Sequence, residues 1–311
     1  MSQELDISWQ TLRRIAQDWG GDAAELSEVT PLDGGAISTT IALKLADGRQ
    51  AVCKISAHRV DRSYVNEAHQ LKLLAEAGLP APRVYATRLG SLEDPFSYIL
   101  MEFVDGVNLQ QARRACTEEQ FADLQAHLAQ LLLALHEHTA EGYGRVEIDP
   151  PAPTFADWPT FFRRVFDPIC DDTLKSNLIP GKCRRQIGKV LERLDLLVRH
   201  DDVPRLVHWD VWSTNILARP DESGNWRVAA LLDPNCKYAH AEAELAYLSL
   251  FQTATPAFLK AYQQKRKLGE DYHRVRKPVY QVFFLLNHVN LFGSGYVQPL
   301  EAAVQRLSGL I

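Results

Sequence analysis

Short apolar runs separated by turn signals dominate the first hundred residues, and this pattern is typical of antiparallel strands. The clearest turn signals are Gly34-Gly35 and the Asp-Gly pair at 47–48. The expected strands begin near Glu28 and continue at 39–45, 49–55, 82–86 and 98–103. Residues 61–77 instead repeat apolar side chains at helical spacing and stop at Gly78. This part of the chain therefore predicts a small antiparallel sheet with one helix.

Helical spacing dominates the chain beyond residue 105. Residues 118–138 place a stripe of leucines on one face, and an earlier helix is expected at 8–19 with Ser8 as its N-cap. Further helices are expected at 155–166, at 184–200 and through 241–311, interrupted by short apolar runs at 205–207, 215–217 and 228–232. The pattern predicts an α+β fold, with a sheet lobe at 1–104 followed by a larger, mainly helical lobe at 105–311.

The composition of the chain argues against several classes of protein. The chain has 311 residues, which is enough to bury a sizeable core, and its net charge of −5 argues against a broad nucleic-acid surface. Its five cysteines form no Cys-x-x-Cys pair, so neither a disulfide framework nor a zinc site is expected, and a reducing cytoplasm is favoured. The N-terminal sequence does not resemble a signal peptide, and the apolar run at 279–292 is too short and polar for a membrane span.

The Gly34-Gly35 turn is the first candidate for chemistry. Glycine lets backbone N–H groups approach a phosphate closely and form an anion-binding concavity. The turn lies in neither a Gly-x-Gly-x-x-Gly motif nor a P-loop, so on its own it favours an ordinary hairpin.

Lys54 is the second candidate, because it interrupts an otherwise apolar strand. A buried ammonium group needs a partner, and Glu67 on the following helix could supply one. Kinases use such a strand lysine and helix glutamate to place the α- and β-phosphates. An edge lysine that faces solvent is the alternative.

The segment 208–217 carries the strongest local signal. Its His208, Asp210 and Asn215 match the kinase catalytic-loop pattern His-x-Asp-x-x-x-x-Asn. In that chemistry the aspartate receives or orients the proton of the attacking hydroxyl, and the asparagine carbonyl oxygen binds Mg²⁺. A polar turn between two short strands would explain the same residues without catalysis.

Asp233 follows the apolar run at 228–232, where an aspartate could hold Mg²⁺ against the β- and γ-phosphates. Kinases have Asp-Phe-Gly here, and this chain has Asp-Pro-Asn at 233–235. A helix N-cap or turn aspartate is the alternative. Each signal alone could arise by chance, but all four in this order on these elements indicate phosphoryl transfer.

Together the motifs resemble the fructosamine/ketosamine-3-kinase family, in the aminoglycoside-phosphotransferase-like branch of the protein-kinase-like fold. The segments that carry the resemblance are 206–215, 232–234, 240–246 and 279–296. The resemblance implies a two-lobed α+β structure and ATP-dependent transfer of the γ-phosphoryl group to the sugar O3 of a ketosamine. The product would be unstable and would release the amine, which is a protein-deglycation repair step.

Carried over by position, the resemblance implies a role for each candidate residue. Asp210 would be the catalytic base, while Asn215 and Asp233 would hold Mg²⁺. Trp212 would stack on the sugar, and His288 would belong to the acceptor pocket. The ATP-binding residues would be Gly34, Gly35 and Ser38 in the nucleotide loop, Lys54 and Glu67 at the phosphates, and Met101, Glu102 and Phe103 at the adenine.

The expected partner is a small-molecule or protein-bound glycated amine, with no role for nucleic acid or a membrane. The sequence leaves the oligomeric state open. ATP and Mg²⁺ are the expected cofactors.

Three positions depart from the family pattern. Trp209 stands where the family usually has glycine, Glu244 stands where it has aspartate, and Ala36 stands where many members have cysteine. The phosphoryl-transfer residues Asp210, Asn215 and Asp233 are nevertheless retained, which predicts an active kinase.

Two other functions also fit the sequence. One is a phosphotransferase of the same fold acting on an aminoglycoside, choline or a similar alcohol, with Glu242, Glu244 and the tryptophans receiving a cationic acceptor. The other is a nucleotide-binding pseudokinase scaffold, for which Trp209 is the main argument.

Overall fold

The computed structural model describes residues 7–32, 39–57, 60–307 and 309. These residues form two units, each built from several stretches of chain. The first unit takes its described residues from Met1–Cys116, Val146–Ala152 and Thr214–Pro234, and the second from Thr117–Arg145, Pro153–Ser213 and Asn235–Ile311. The sequence instead predicts two lobes that are each one continuous stretch of chain, 1–104 and 105–311. The boundary between these lobes stays a prediction.

The described residues contain strands of two to seven residues. In chain order they are β1 Leu26–Pro31, β2 Thr39–Leu45, β3 Gln50–Ser56, β4 Val84–Arg88, β5 Ser97–Glu102, β6 Val107–Asn108, β7 Tyr143–Arg145, β8 Thr154–Phe155, β9 Arg205–Val207, β10 Ile216–Pro220, β11 Trp226–Leu231 and β12 Lys237–Ala239.

The α-helices, again in chain order, are α1 Trp9–Gly20, α2 Ser63–Glu76, α3 Leu109–Ala115, α4 Glu118–Glu137, α5 Trp158–Lys175, α6 Gly181–Glu192, α7 Leu194–Leu197, α8 Ala241–Leu250, α9 Pro256–Lys265, α10 Lys277–Phe292 and α11 Val297–Arg306. A π-helical turn, Tyr272–Arg276, precedes α10, and a 3₁₀ turn, Gly293–Tyr296, follows it.

A five-stranded antiparallel sheet in the order β1-β2-β3-β5-β4 forms the centre of the first unit. Side chains alternate between the two faces of a strand, so Cys53 and Ile55 of β3 enter the core beneath α1 while Lys54 lies on the opposite face. The predicted order of three strands, one helix and two strands is confirmed. The Ser8 side chain accepts a hydrogen bond from the Thr11 N–H, as expected of an N-cap.

A smaller sheet in the same unit has the order β11-β10-β6. Its two longer strands form an antiparallel hairpin in which Ile216 pairs with Leu231. Asn215 precedes the first strand and Asp233 follows the second. The hairpin therefore brings these two residues to the same end.

The second unit is mainly helical. Its apolar core is centred on α10, which packs against α5, α8 and α11. A four-stranded sheet of very short strands, β8-β7-β12-β9, completes the unit. Strand β9 ends at Val207, immediately before the predicted catalytic loop.

The helical part differs in detail from the sequence-based expectation. The helix expected at 155–166 begins at Trp158 and continues to Lys175, and the helix expected at 184–200 is divided into α6 and α7. All five cysteines are free thiols. Across the described ranges, no helix has both the length and the apolar character needed to cross a bilayer.

Candidate active site

Lys54 of β3 is held between two carboxylates within the first unit. Its Nζ donates a hydrogen bond of 2.5 Å to Glu67 Oε1 on α2, and it also donates to Asp233 Oδ1. The Lys54 and Glu67 side chains are only 12% and 15% exposed. The structure thus brings together the strand lysine and the helix glutamate that the sequence singled out, and adds Asp233 as a second partner.

The carboxylates shift the pKa of Lys54, and the Lys54 charge in turn affects the pKa of Glu67. Burial favours the neutral lysine, but the charges of Glu67 and Asp233 outweigh it and raise the Lys54 pKa. Burial also raises the pKa of Glu67, and the Lys54 charge works against that increase. Lys54 is therefore a fixed cation at neutral pH, positioned by two carboxylates.

Asp233 and Asn215 lie side by side at the end of the β10–β11 hairpin. The Leu232 N–H donates a 2.8 Å hydrogen bond to the Asn215 backbone oxygen. The Asp233 backbone has a φ of 55°, a left-handed conformation that is uncommon for a residue other than glycine and is often found at functional sites. Its side chain is 42% exposed, which leaves a carboxylate oxygen accessible.

The Asn215 and Asp233 side chains fit Mg²⁺ by their chemistry. A carboxylate and an amide carbonyl are oxygen ligands of the kind Mg²⁺ prefers, and this ion is usually bound by one or two carboxylates together with substrate phosphates and water. Within the described part of the chain, no group of three or more His, Cys, Asp or Glu residues could hold a metal. The phosphates of a bound nucleotide and water would have to supply the remaining oxygen ligands.

The other predicted nucleotide residues are placed as follows. Met101 of β5 is buried beside Tyr64 and Ile99, whereas Phe103, just after the strand, is half-buried. Glu102 Oε2 accepts a 3.1 Å hydrogen bond from the Arg83 N–H. Gly34, Gly35 and Ser38 lie outside the described residues, so the nucleotide loop stays a prediction, as does the adenine site.

Asp210 lies in the second unit, in the loop after β9. Its Oδ1 accepts a 2.6 Å hydrogen bond from the Tyr247 hydroxyl on α8. Burial, followed by the Asp210 charge, raises the Tyr247 pKa, so this hydroxyl stays protonated and acts as a donor. The sequence reasoning missed Tyr247. The only signal was a hydroxyl-bearing ring in an otherwise apolar stretch of helix.

Trp209 has a left-handed backbone, with a φ of 70°. Its N–H donates to Glu244 Oε1 at 2.6 Å, and the other oxygen of Glu244 lies 2.8 Å from His136 Nε2. The Tyr262 hydroxyl lies 2.7 Å from His136 Nδ1, which completes a buried chain of polar groups. A left-handed backbone explains why glycine would suit this position.

The Trp209 side chain is part of the core of the second unit. Its ring packs against Phe283 and Phe284 and is 7% exposed, and Lys237 Nζ lies 4.8 Å from the ring centroid. The indole therefore fills the core, which removes the main structural argument for a pseudokinase.

We expect Trp209→Gly to lower the free energy of unfolding by about 2 kcal/mol. Loss of a buried aromatic side chain costs about 3 kcal/mol, and relief of the left-handed backbone returns about 1 kcal/mol. Thermal and denaturant unfolding would measure the change. Trp209→Ala is the matched control, because it loses the indole without relieving the backbone and should be the less stable variant. A Gly variant as stable as the wild type would contradict a packing role.

Trp212 and His288 both lie in the second unit, and His288 is half-buried. Trp212 is 36% exposed. The His288 ring lies 4.7 Å from the Phe251 ring and 4.9 Å from the Tyr296 ring, and its Nδ1 lies 2.7 Å from the Phe284 backbone oxygen. Burial lowers the His288 pKa, so the ring is neutral at pH 7. His288 is thus one member of an aromatic cluster, and its place in the acceptor pocket stays a prediction.

Both glutamates considered for a cationic acceptor already have partners. Glu244 is bonded to Trp209 and His136. Glu242 accepts hydrogen bonds from Arg276 Nε at 2.6 Å and from the Gly269 N–H at 2.7 Å. Both glutamates are also buried, Glu244 completely, so neither presents an exposed carboxylate to an acceptor cation.

Comparison with known proteins adds family information to this geometry. The fructosamine kinase family model matches residues 8–309. The probable ketoamine kinase YniA of Escherichia coli K12 is 26% identical over 302 residues, covering 96% of this chain and 99% of its own. The chloroplastic protein-ribulosamine 3-kinase of Oryza sativa subsp. japonica is 27% identical over 285 residues, covering 89% and 77%.

Among solved structures, a fructosamine-3-kinase candidate from Thermobifida fusca matches with a TM-score of 0.75 and 25% identity, covering 96% of this chain and 99% of its own. The expected α+β, protein-kinase-like fold is confirmed by this likeness.

Proposed function

The chain belongs to the fructosamine kinase family, a family of kinases that act on an alcohol group, and on this premise we propose that it phosphorylates the O3 hydroxyl of ketosamines. ATP use is implied by the family. The substrate would be a fructosamine or ribulosamine, free or protein-bound, and release of the amine from the unstable product would make the reaction a deglycation repair step. The ribulosamine kinase name of the rice relative supports this substrate class.

The observation that carries the proposal is the pairing of Lys54 with both Glu67 and Asp233. A lysine held as a cation by two carboxylates is suited to bind nucleotide phosphates. Asn215 and Asp233 would hold Mg²⁺, which supplies positive charge for the phosphate oxygens when it is bound. The metal and the role of each residue are part of the proposal.

Asp210 would accept the proton of the sugar O3 as the bond from O3 to the γ-phosphorus forms and the bond to the leaving ADP oxygen breaks. Trp212 and His288 would contact the sugar, because aromatic faces suit the apolar C–H side of a sugar ring. The existing partners of Glu242 and Glu244 argue against a polycationic aminoglycoside as acceptor.

We also propose a cytoplasmic location, which the five free thiols favour.

An acceptor panel would test this function. Purified protein would be incubated with Mg·ATP and either fructose-lysine, ribulose-lysine, choline or an aminoglycoside, and the products followed by mass spectrometry. We expect phosphorylated product from the two ketosamines alone, and none when Mg²⁺ is removed by a chelator.

The alternative outcomes separate the rival functions. Product from choline or the aminoglycoside alone would keep the kinase chemistry and overturn the substrate. ATP binding without product from any acceptor would instead indicate a pseudokinase scaffold.

A further inference from the structure

Helix α8 contacts two consecutive residues of the loop that carries Asp210. Glu244 accepts the Trp209 N–H at 2.6 Å, and Tyr247 donates to Asp210 Oδ1 at 2.6 Å. Residues three apart lie on the same face of a helix, so both contacts come from one side of α8. The first contact fixes the backbone before Asp210, and the second holds its side chain.

We propose that Tyr247 is a positioning residue for Asp210: the Tyr247 hydroxyl holds the Asp210 carboxylate in the orientation that meets the acceptor hydroxyl. This inference rests on the proposed function, in which Asp210 is the base. The Asp210 carboxylate can rotate about the Cβ–Cγ bond, and a hydrogen bond to Oδ1 restricts that rotation.

The surroundings of Tyr247 make it a rigid donor. Its side chain is 5% exposed, and its ring centroid lies 4.9 Å from that of Phe251 and 4.7 Å from that of Phe284. The Gln281 side chain also donates to the Ala246 backbone oxygen, which ties this part of α8 to α10. Phenylalanine would fill the same space, so Tyr247→Phe removes the hydroxyl and keeps the ring packing.

Tyr247→Phe tests the hydroxyl because it keeps the ring. With saturating Mg·ATP and varied acceptor, we expect kcat to fall about 10- to 100-fold, as for a misplaced catalytic group, with both KM values within about twofold of wild type. Tyr143→Phe is the matched control: that side chain is also 5% exposed, and its hydroxyl donates to the Asp202 backbone oxygen at 2.9 Å. It should leave kcat unchanged.

Two further variants separate positioning from general stability. In an Asp210→Ala background, Tyr247→Phe should change the residual rate by less than about twofold, because the group it positions is gone. Replacing Tyr247 with 4-aminophenylalanine restores an N–H donor and should recover most of the lost kcat. Thermal unfolding would confirm that each variant is folded.

Several results would overturn the inference. They are a wild-type kcat for Tyr247→Phe, a loss confined to the acceptor KM, a loss that persists without Asp210, and a lack of rescue by the amino analogue. If the wild type phosphorylates only choline or an aminoglycoside, the ketosamine function fails, and the same comparison is made with that acceptor. No turnover of any acceptor would overturn both proposals.

Discussion

Replacing Asp210 with asparagine is expected to lower kcat for phosphoryl transfer by about a thousandfold, the scale of a lost general base. An amide has nearly the same shape as a carboxylate, and its carbonyl oxygen can still accept the Tyr247 hydroxyl, so the loop should keep its structure. The amide cannot take up the proton of the sugar hydroxyl. Nucleotide KM should therefore change little, because Asp210 is assigned to the acceptor and not to ATP. Initial rates with the best acceptor of the panel would measure the loss.

The control for this variant is Asp171→Asn, the same chemical change at an exposed helical residue that faces Lys175 at 4.0 Å. It should leave kcat and the unfolding midpoint unchanged. If Asp210→Asn kept more than a tenth of the wild-type kcat, another group would have to be the base.

The sheet of the first unit was predictable because its signals are local. Strands β2 and β3, of seven residues each, are joined by the turn that contains Gly48, and their alternation is visible directly in the sequence. The pairing of Lys54 with Glu67 followed from chemistry, since a lysine in an apolar strand needs a carboxylate and the next helix offers one. The periodicity of the sequence and the need to neutralise a buried charge were therefore enough to predict these strands and this ion pair.

Contacts between distant segments could not be predicted in the same way. Lys54 and Asp233 are 179 residues apart, and no local pattern indicates that they meet. Strands of two or three residues, such as β8 and β12, are too short to show an alternation. Trp209 could be recognised as a departure from the family, but its burial depends on Phe283 and Phe284, more than seventy positions away.

Lys54→Met is expected to lower kcat/KM for ATP by about a hundredfold or more, because the lysine assigned to the nucleotide phosphates is lost. It should also reduce the free energy of unfolding by about 3 kcal/mol at pH 7, since it leaves the buried Glu67 carboxylate beside Asp233 without its cation. Steady-state kinetics with varied ATP and denaturant unfolding would measure the two effects separately.

The pH dependence of that stability loss follows from Glu67. Burial already raises the Glu67 pKa above its ordinary value, and removing the Lys54 charge, which lowers it, must raise it further. The folded variant then binds a proton that the unfolded chain releases above its ordinary pKa of 4.5. Its stability therefore falls as the pH rises from that value through the raised pKa, and Lys54→Met should be more destabilised at pH 8 than at pH 5.

The double variant Lys54→Met/Glu67→Gln isolates this carboxylate, because glutamine keeps the shape of the side chain and removes its charge. It should recover most of the stability at pH 8 and lose the pH dependence, without recovering kcat/KM for ATP. A double variant as unstable as Lys54→Met would show that the loss comes from packing and not from an unpaired charge. Recovery of stability without recovery of activity would instead separate the two roles of Lys54, which balances the buried carboxylate and contacts the nucleotide.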